Sequence, residues 1–196
     1  MEQKMRAIWT QYFSVLFLIL INTNCNNAQV SFVNPERLFT NDELNELYAI
    51  VEKFDSVLLK SFDVVSVKKA YMTFAIKTLE NAEQGQGVIK YDEILTIYQQ
   101  VEEYDIAKEI WWSNQSTHYG TTGININMNG KYLAYLKAVG EFYPFIYEYT
   151  RELELHQDLG SAQILSAFAS NSIDFNFTDI NIRLIFAIHY LTFYNL

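Results

Sequence analysis

The chain has 196 residues, with 14 Lys and Arg set against 23 Asp and Glu for a formal net charge of −9, and a single cysteine. That balance argues against nucleic acid as a partner, since phosphate binding needs a dense basic surface and Lys68-Lys69 is the densest basic pair here. One cysteine excludes an internal disulfide framework and a thiolate zinc site, so in a chain that is 50% hydrophobic by composition the core must hold the fold by itself.

Lys4 and Arg6 precede an apolar run, Tyr12 to Ile21 with one serine, and a polar segment follows from Asn22 to Asn27. This is the pattern of a secretory signal peptide over residues 1–28, and the run is shorter than the roughly 20 residues that a spanning helix needs. Two exits compete. Cleavage after Ala28 leaves Gln29 first, whereas a lipoprotein peptidase cuts before Cys25 and attaches lipid there, although Asn22, Thr23 and Asn24 fit that motif poorly. Loss of residues 1–28 removes Glu2, Lys4 and Arg6, a net +1, and takes the charge from −9 to −10. The expected location is periplasmic or extracellular, with a membrane contact only through a lipid on Cys25.

Residues 29–39 lack a period and contain Pro35, which predicts an extended lead-in to a helical domain over 40–196. Thr40 and Glu43 form a capping box, and Phe39 and Leu44 a hydrophobic staple, at the start of a helix whose apolar face runs through Leu47, Val51, Phe54, Leu58 and Phe62. A second helix is predicted from Val65 to Glu83, ending at Gly85 and Gly87, and a third from Asp92, capped by that residue and fraying near Trp111-Trp112. Residues 113–130 carry no Asp, Glu, Lys or Arg and read as a long neutral loop, with a weak alternating strand signal from Ile124 to Asn129. A long helical pattern covers Lys131 to Asp158, with a kink or break expected at Pro144, and a short helix runs from a cap at Ser161 to about Ala169.

The last pattern, Asp179 to Tyr194, is apolar on nearly every side, leaving only a stripe through Arg183, Tyr190 and Tyr194 to meet water. Such a helix needs neighbours all round, so it is expected to be the central post of an all-α, single-domain irregular bundle of about six helices. Its ionisable residues are therefore informative. Asp55 and Asp105 fall on apolar faces of the first and third helices, and Arg183 and His189 on the last, so these four are candidates for a buried polar cluster.

Trp111, Trp112, His118 and Tyr119 are the ligand-binding candidates, as an aromatic platform beside the neutral loop. Glu148, Glu152 and His156 have ladder spacing, but their helical phase points away from the core, so a solvated acidic ridge is expected and no metal. Gly85-Gln86-Gly87 lacks the lysine and preceding strand of a phosphate loop, and no Gly-x-Ser-x-Gly elbow is present. Asn114-Gln115-Ser116 and Asn176-Phe177-Thr178 match the glycosylation sequon, which matters only in a eukaryotic secretory pathway. No cofactor is implied. The expected role is a non-enzymatic exported domain that binds a protein, envelope component or small ligand. The alternative is a hydrolase using Asp55, Asp105 and His189.

Overall fold

The structure is a computed structural model, and it describes residues 31–82, 88–115, 122–157 and 162–194. These belong to one unit, Ser31–Leu196. The leader with Cys25, the glycines at 85 and 87, His118 and Tyr119, and the cap at Ser161 lie outside the described residues.

Among the described residues there are eight α-helices and one hairpin, which bears out the all-α reading. The helices are α1 (Asn41–Phe62), α2 (Val67–Ala82), α3 (Tyr91–Val101) and α4 (Asp105–Ile110), then α5 (Lys131–Gly140), α6 (Pro144–His156), α7 (Ala162–Asn171) and α8 (Ile180–Phe193). Strands β1 (Trp111–Gln115) and β2 (Thr122–Ile126) pair antiparallel between α4 and α5, with Trp111 opposite Ile126 and Trp112 opposite Asn125. No helix among the described residues is long and apolar enough to cross a membrane.

The start of α1 follows local rules. Thr40 Oγ1 accepts from the Glu43 amide at 3.2 Å, and the Glu43 carboxylate in turn accepts from the Thr40 amide at 2.8 Å. Where two helices were expected, four form. Pro144 cannot continue the helix before it, so α5 ends at Gly140 and Pro144 becomes the first residue of α6. That break resets the phase and leaves Phe142 largely exposed in the turn between the two helices. The third helix likewise stops at Val101, turns through residues 102–104 and restarts at Asp105.

These short helices are capped from a distance. The Glu46 carboxylate of α1 accepts from the Asp105 and Ile106 amides at 3.3 and 2.9 Å, at the start of α4. Glu109 of α4 accepts from the Lys131 amide at 3.0 Å, at the start of α5. Carboxylates at helix N-termini satisfy orphan donors and suit the dipole. The lead-in is also more ordered than an extended tail. Pro35–Arg37 form a 3-10 turn, Phe32 is buried against Tyr48, and the Val33 amide donates to Asn181 Oδ1 of α8 at 2.8 Å.

Helix α8 is the post. Its residues from Ile180 to Thr192 are all buried except Arg183, while Phe193 at the end is 39% exposed. Tyr190, expected at the water-facing stripe, is instead enclosed, with its ring 4.6 Å from Phe74 and 4.7 Å from Phe186.

At Gly130 a Cβ would lie 2.1 Å from the carbonyl oxygen of Glu109, too close for any side chain without a shift. At Gly140 a Cβ would meet Tyr147 Cα at 3.0 Å. Gly130→Ala therefore costs about 2 kcal/mol in urea denaturation, and Gly140→Ala costs less, because the first methyl would overlap a backbone carbonyl while the second only crowds Tyr147. Equal stability of Gly130→Ala and the parent would contradict this packing.

Candidate functional site

The four ionisable candidates divide into a pair, a solitary imidazole and a surface residue. Asp55, on the buried face of α1, meets Arg183 of α8 in a hydrogen-bonded ion pair whose side chains retain 12% and 18% exposure. A charge on an enclosed helix has one economical solution, an opposite charge at the edge of the core. Tyr71 of α2 lies beside the same carboxylate. Its hydroxyl does not close a bond of ordinary geometry, however, and Asp55 Oδ1, Tyr71 Oη and Arg183 Nε are all buried without a partner among the described residues. Burial pushes the Asp55 carboxyl above its ordinary pKa, with Arg183 and the Tyr71 hydroxyl opposing. Tyr71 itself is raised well above its usual value, by burial and by the neighbouring carboxylate. The arrangement lacks a nucleophile or an imidazole at the carboxylate. It suits a structural tie between three helices, where losing one partner costs more than the pair contributes.

His189 stands apart from that pair. Its ring stacks on Phe168 at 3.7 Å with 10° between planes, and Tyr149 Oη is 3.3 Å from Nδ1. Tyr190 closes against it edge-on at 5.0 Å. Burial pushes the imidazole pKa down to about 3, so the ring is neutral at any ordinary pH. A neutral imidazole between aromatic rings, with a phenol at one nitrogen, is a satisfied core residue by its geometry.

Asp105 does not join either group, which corrects the sequence reading. Because α3 ends at Val101, the apolar face through Ile94, Tyr98 and Val101 does not extend to it, and Asp105 begins α4 in water. Its side chain is 88% exposed and pairs with Lys108 at 3.3 Å.

The aromatic platform is also corrected in part. Trp111 is buried, donates its indole N–H to Thr192 Oγ1 at 2.7 Å, and meets Tyr98 edge-on at 5.7 Å. Strand alternation turns the next residue outward, so Trp112 is 44% exposed. Trp111 is thus an anchor and Trp112 the presented ring. On α6, Arg151 bridges Glu148 at 3.0 Å and Glu152 at 3.2 Å, and Glu152 also reaches His156 at 3.4 Å, on side chains that are exposed or half-buried. Among the described residues no group of three or more His, Cys, Asp or Glu is placed to hold a metal.

Concavities among the described residues include two beside the helices. An open groove of about 460 Å³ separates α1 from α3, with Lys53 and Lys60 on one wall and Asp92 and Glu93 on the other. A tighter one of about 180 Å³ lies at the N-terminal end of α8. Near it runs a network that sequence reading missed. Tyr143 donates to Asp179, Asp179 Oδ1 accepts from the Asn181 amide and side chain at 2.8 and 2.7 Å, and Tyr135 donates to Asn181 Oδ1 at 3.0 Å. The Asp179 N-cap position was the available signal; its tyrosine partners come from α5 and the α5–α6 junction, and no local pattern announces them.

The His189 environment sets a pH dependence with a definite sign. Its folded pKa lies below the unfolded value, so its contribution is present above about 6.5 and is lost as the unfolded chain takes up a proton on acidification. The expected loss is about 1.4 kcal/mol per pH unit between roughly pH 6 and 4, and His189→Phe removes that component of the slope. Parallel stability curves for parent and variant over this range would contradict the buried neutral ring.

In comparisons with known proteins, no protein family, curated protein or solved structure matches the chain.

Proposed function

We propose that the chain is an exported, non-enzymatic binding domain whose contact surface is the hairpin at the C-terminal end of α8. The observation that carries this reading is the division of labour between neighbouring tryptophans. Trp111 fastens β1 to α8 through Thr192, and Trp112 projects to solvent from the same strand. A large ring held by a fixed strand loses little freedom on binding and offers a flat apolar face with a polar edge. That chemistry suits a sugar ring or another flat group on an envelope component, a protein or a small ligand. His118 and Tyr119, which lie between β1 and β2 in sequence and outside the described residues, extend the reading by sequence alone.

The hydrolase alternative has less support. Acid–base work on a substrate needs its groups within hydrogen-bond reach of one another in an open pocket. Asp105 stands in water on α4, Asp55 is engaged by Arg183, and His189 is packed on Phe168. Export rests on residues 1–28 alone, and so does lipidation at Cys25.

Titration of the full chain with chito- and malto-oligosaccharides is expected to quench tryptophan emission for at least one of them. Trp112→Ala should abolish that response while changing stability by no more than about 0.5 kcal/mol. Unchanged emission across the glycan panel would overturn the sugar-facing reading. For export, the intact mass of the secreted product should begin at Gln29 or at a lipid-bearing Cys25; an uncleaved chain retained in the cytoplasm would overturn it.

A further inference from the structure

The concavity at the other end of α8 has a chemistry of its own. Its walls are Tyr143 from the α5–α6 junction, Phe145 and Ile146 from the start of α6, Phe175 from the α7–α8 connection and Ile182 from the first turn of α8. Phe145 and Phe175 lie 5.2 Å apart at 45°, forming a tilted aromatic corner. At about 180 Å³ it has room for one aromatic ring and a short tail, since a cavity near 150 Å³ admits benzene.

The rim decides the head group. Its polar lining consists of Asn171, Asp174 and Asn176, with no Lys, Arg or His among the lining residues. Asn171 Nδ2 donates to the Ala167 carbonyl at 2.8 Å, and Asn176 Oδ1 accepts from the Thr178 amide and hydroxyl at 3.3 and 2.7 Å, so both rim amides are tied to local partners. Asp174 brings a full negative charge, and the Asp179 carboxylate stands just behind Tyr143, whose hydroxyl donates to it. Carboxylates combined with aromatic faces attract a cation, through charge and through the ring quadrupole. The start of α6 also borders this pocket and by its dipole would favour an anion, but that end carries only about half an elementary charge against the full charge of the carboxylate.

We infer that this pocket binds a small primary amine with an aromatic or compact apolar body, the ring seated between Phe145, Phe175 and Ile182 and the ammonium at Asp174. The site lies some ten residues along α8 from Thr192, about 15 Å, so it is independent of the hairpin reading and can fail or succeed without it.

The test uses the full chain with labelled isoleucine methyls, titrated with phenethylamine, with phenethyl alcohol as the neutral counterpart and with 3-phenylpropionate as the anionic one. Phenethylamine is expected to shift the Ile146 and Ile182 methyl signals saturably, and more tightly than the alcohol. Asp174→Asn should weaken amine binding about threefold and leave the alcohol unchanged, as suits an exposed ion pair. Asn171→Trp, also on the exposed rim, should block both ligands while the melting curve stays in place. Three results would each overturn the inference: no saturable shift with the amine, equal or tighter binding of the carboxylate, or an Asp174→Asn variant that binds the amine as well as the parent.

Discussion

Helix α8 has to be covered on every side, and most of the structure follows from that requirement. Its ring Phe186 packs against Phe54 of α1, Tyr71 and Phe74 of α2, Phe168 of α7 and Phe177 before its own start. Tilted and edge-to-face pairs of this kind each add about 0.5–1.5 kcal/mol beyond simple burial, and they also fix the rotation of one helix against another. The one charge on the post, Arg183, must leave the core at a place where a carboxylate is waiting. Asp55 is therefore held to the seam between α1 and α8, and Tyr71 is drawn in beside them.

The outer elements are too short to persist on their own. Helix α4 has six residues and α5 has ten, below the length at which an isolated helix is stable in water. Side chains from elsewhere complete them: Glu46 closes the start of α4, Glu109 closes the start of α5, and Asn127 Nδ2 reaches the Lys108 carbonyl at 2.8 Å. Glu43 illustrates how shared these groups are. Burial alone would raise its pKa, but bonds from Lys131 and from Thr40 outweigh that and hold it below the ordinary carboxyl range. One carboxylate thus serves its own helix cap and a neighbouring helix together.

The two ends of the post carry different surfaces. At its C-terminal end Thr192 holds Trp111, and the hairpin turns Trp112 to water. At its N-terminal end the Asp179–Tyr143–Asn181–Tyr135 network ties α5, the start of α6 and the lead-in to the first turn, beside the aromatic pocket. Both sit on a rigid element, which is what a precise contact surface requires. His189, between them, is a packing residue: its neutral ring takes the place of an apolar one against Phe168.

Where chemistry is local, the sequence alone determined the outcome. The Thr40–Glu43 box, the break at Pro144, the all-α class and the burial of α8 each depend on residues within a few positions of one another, or on a period that only one environment satisfies. The tertiary structure decided what depends on distant partners. Helical phase placed Asp105 with the core residues of α3, but a turn at residues 102–104 cancelled that phase, and the carboxylate of Glu46, some sixty positions away, made the new start possible. Asp55 and Arg183 were both legible as polar residues on apolar faces, yet nothing within either helix states that they face each other. The alternating Ile124–Asn129 run signalled a strand, but a strand needs a partner, and Trp111 could move from helix end to β1 only because Thr192 of α8 received its indole N–H. Periodicity records which residues must leave water; it does not record which neighbour receives them.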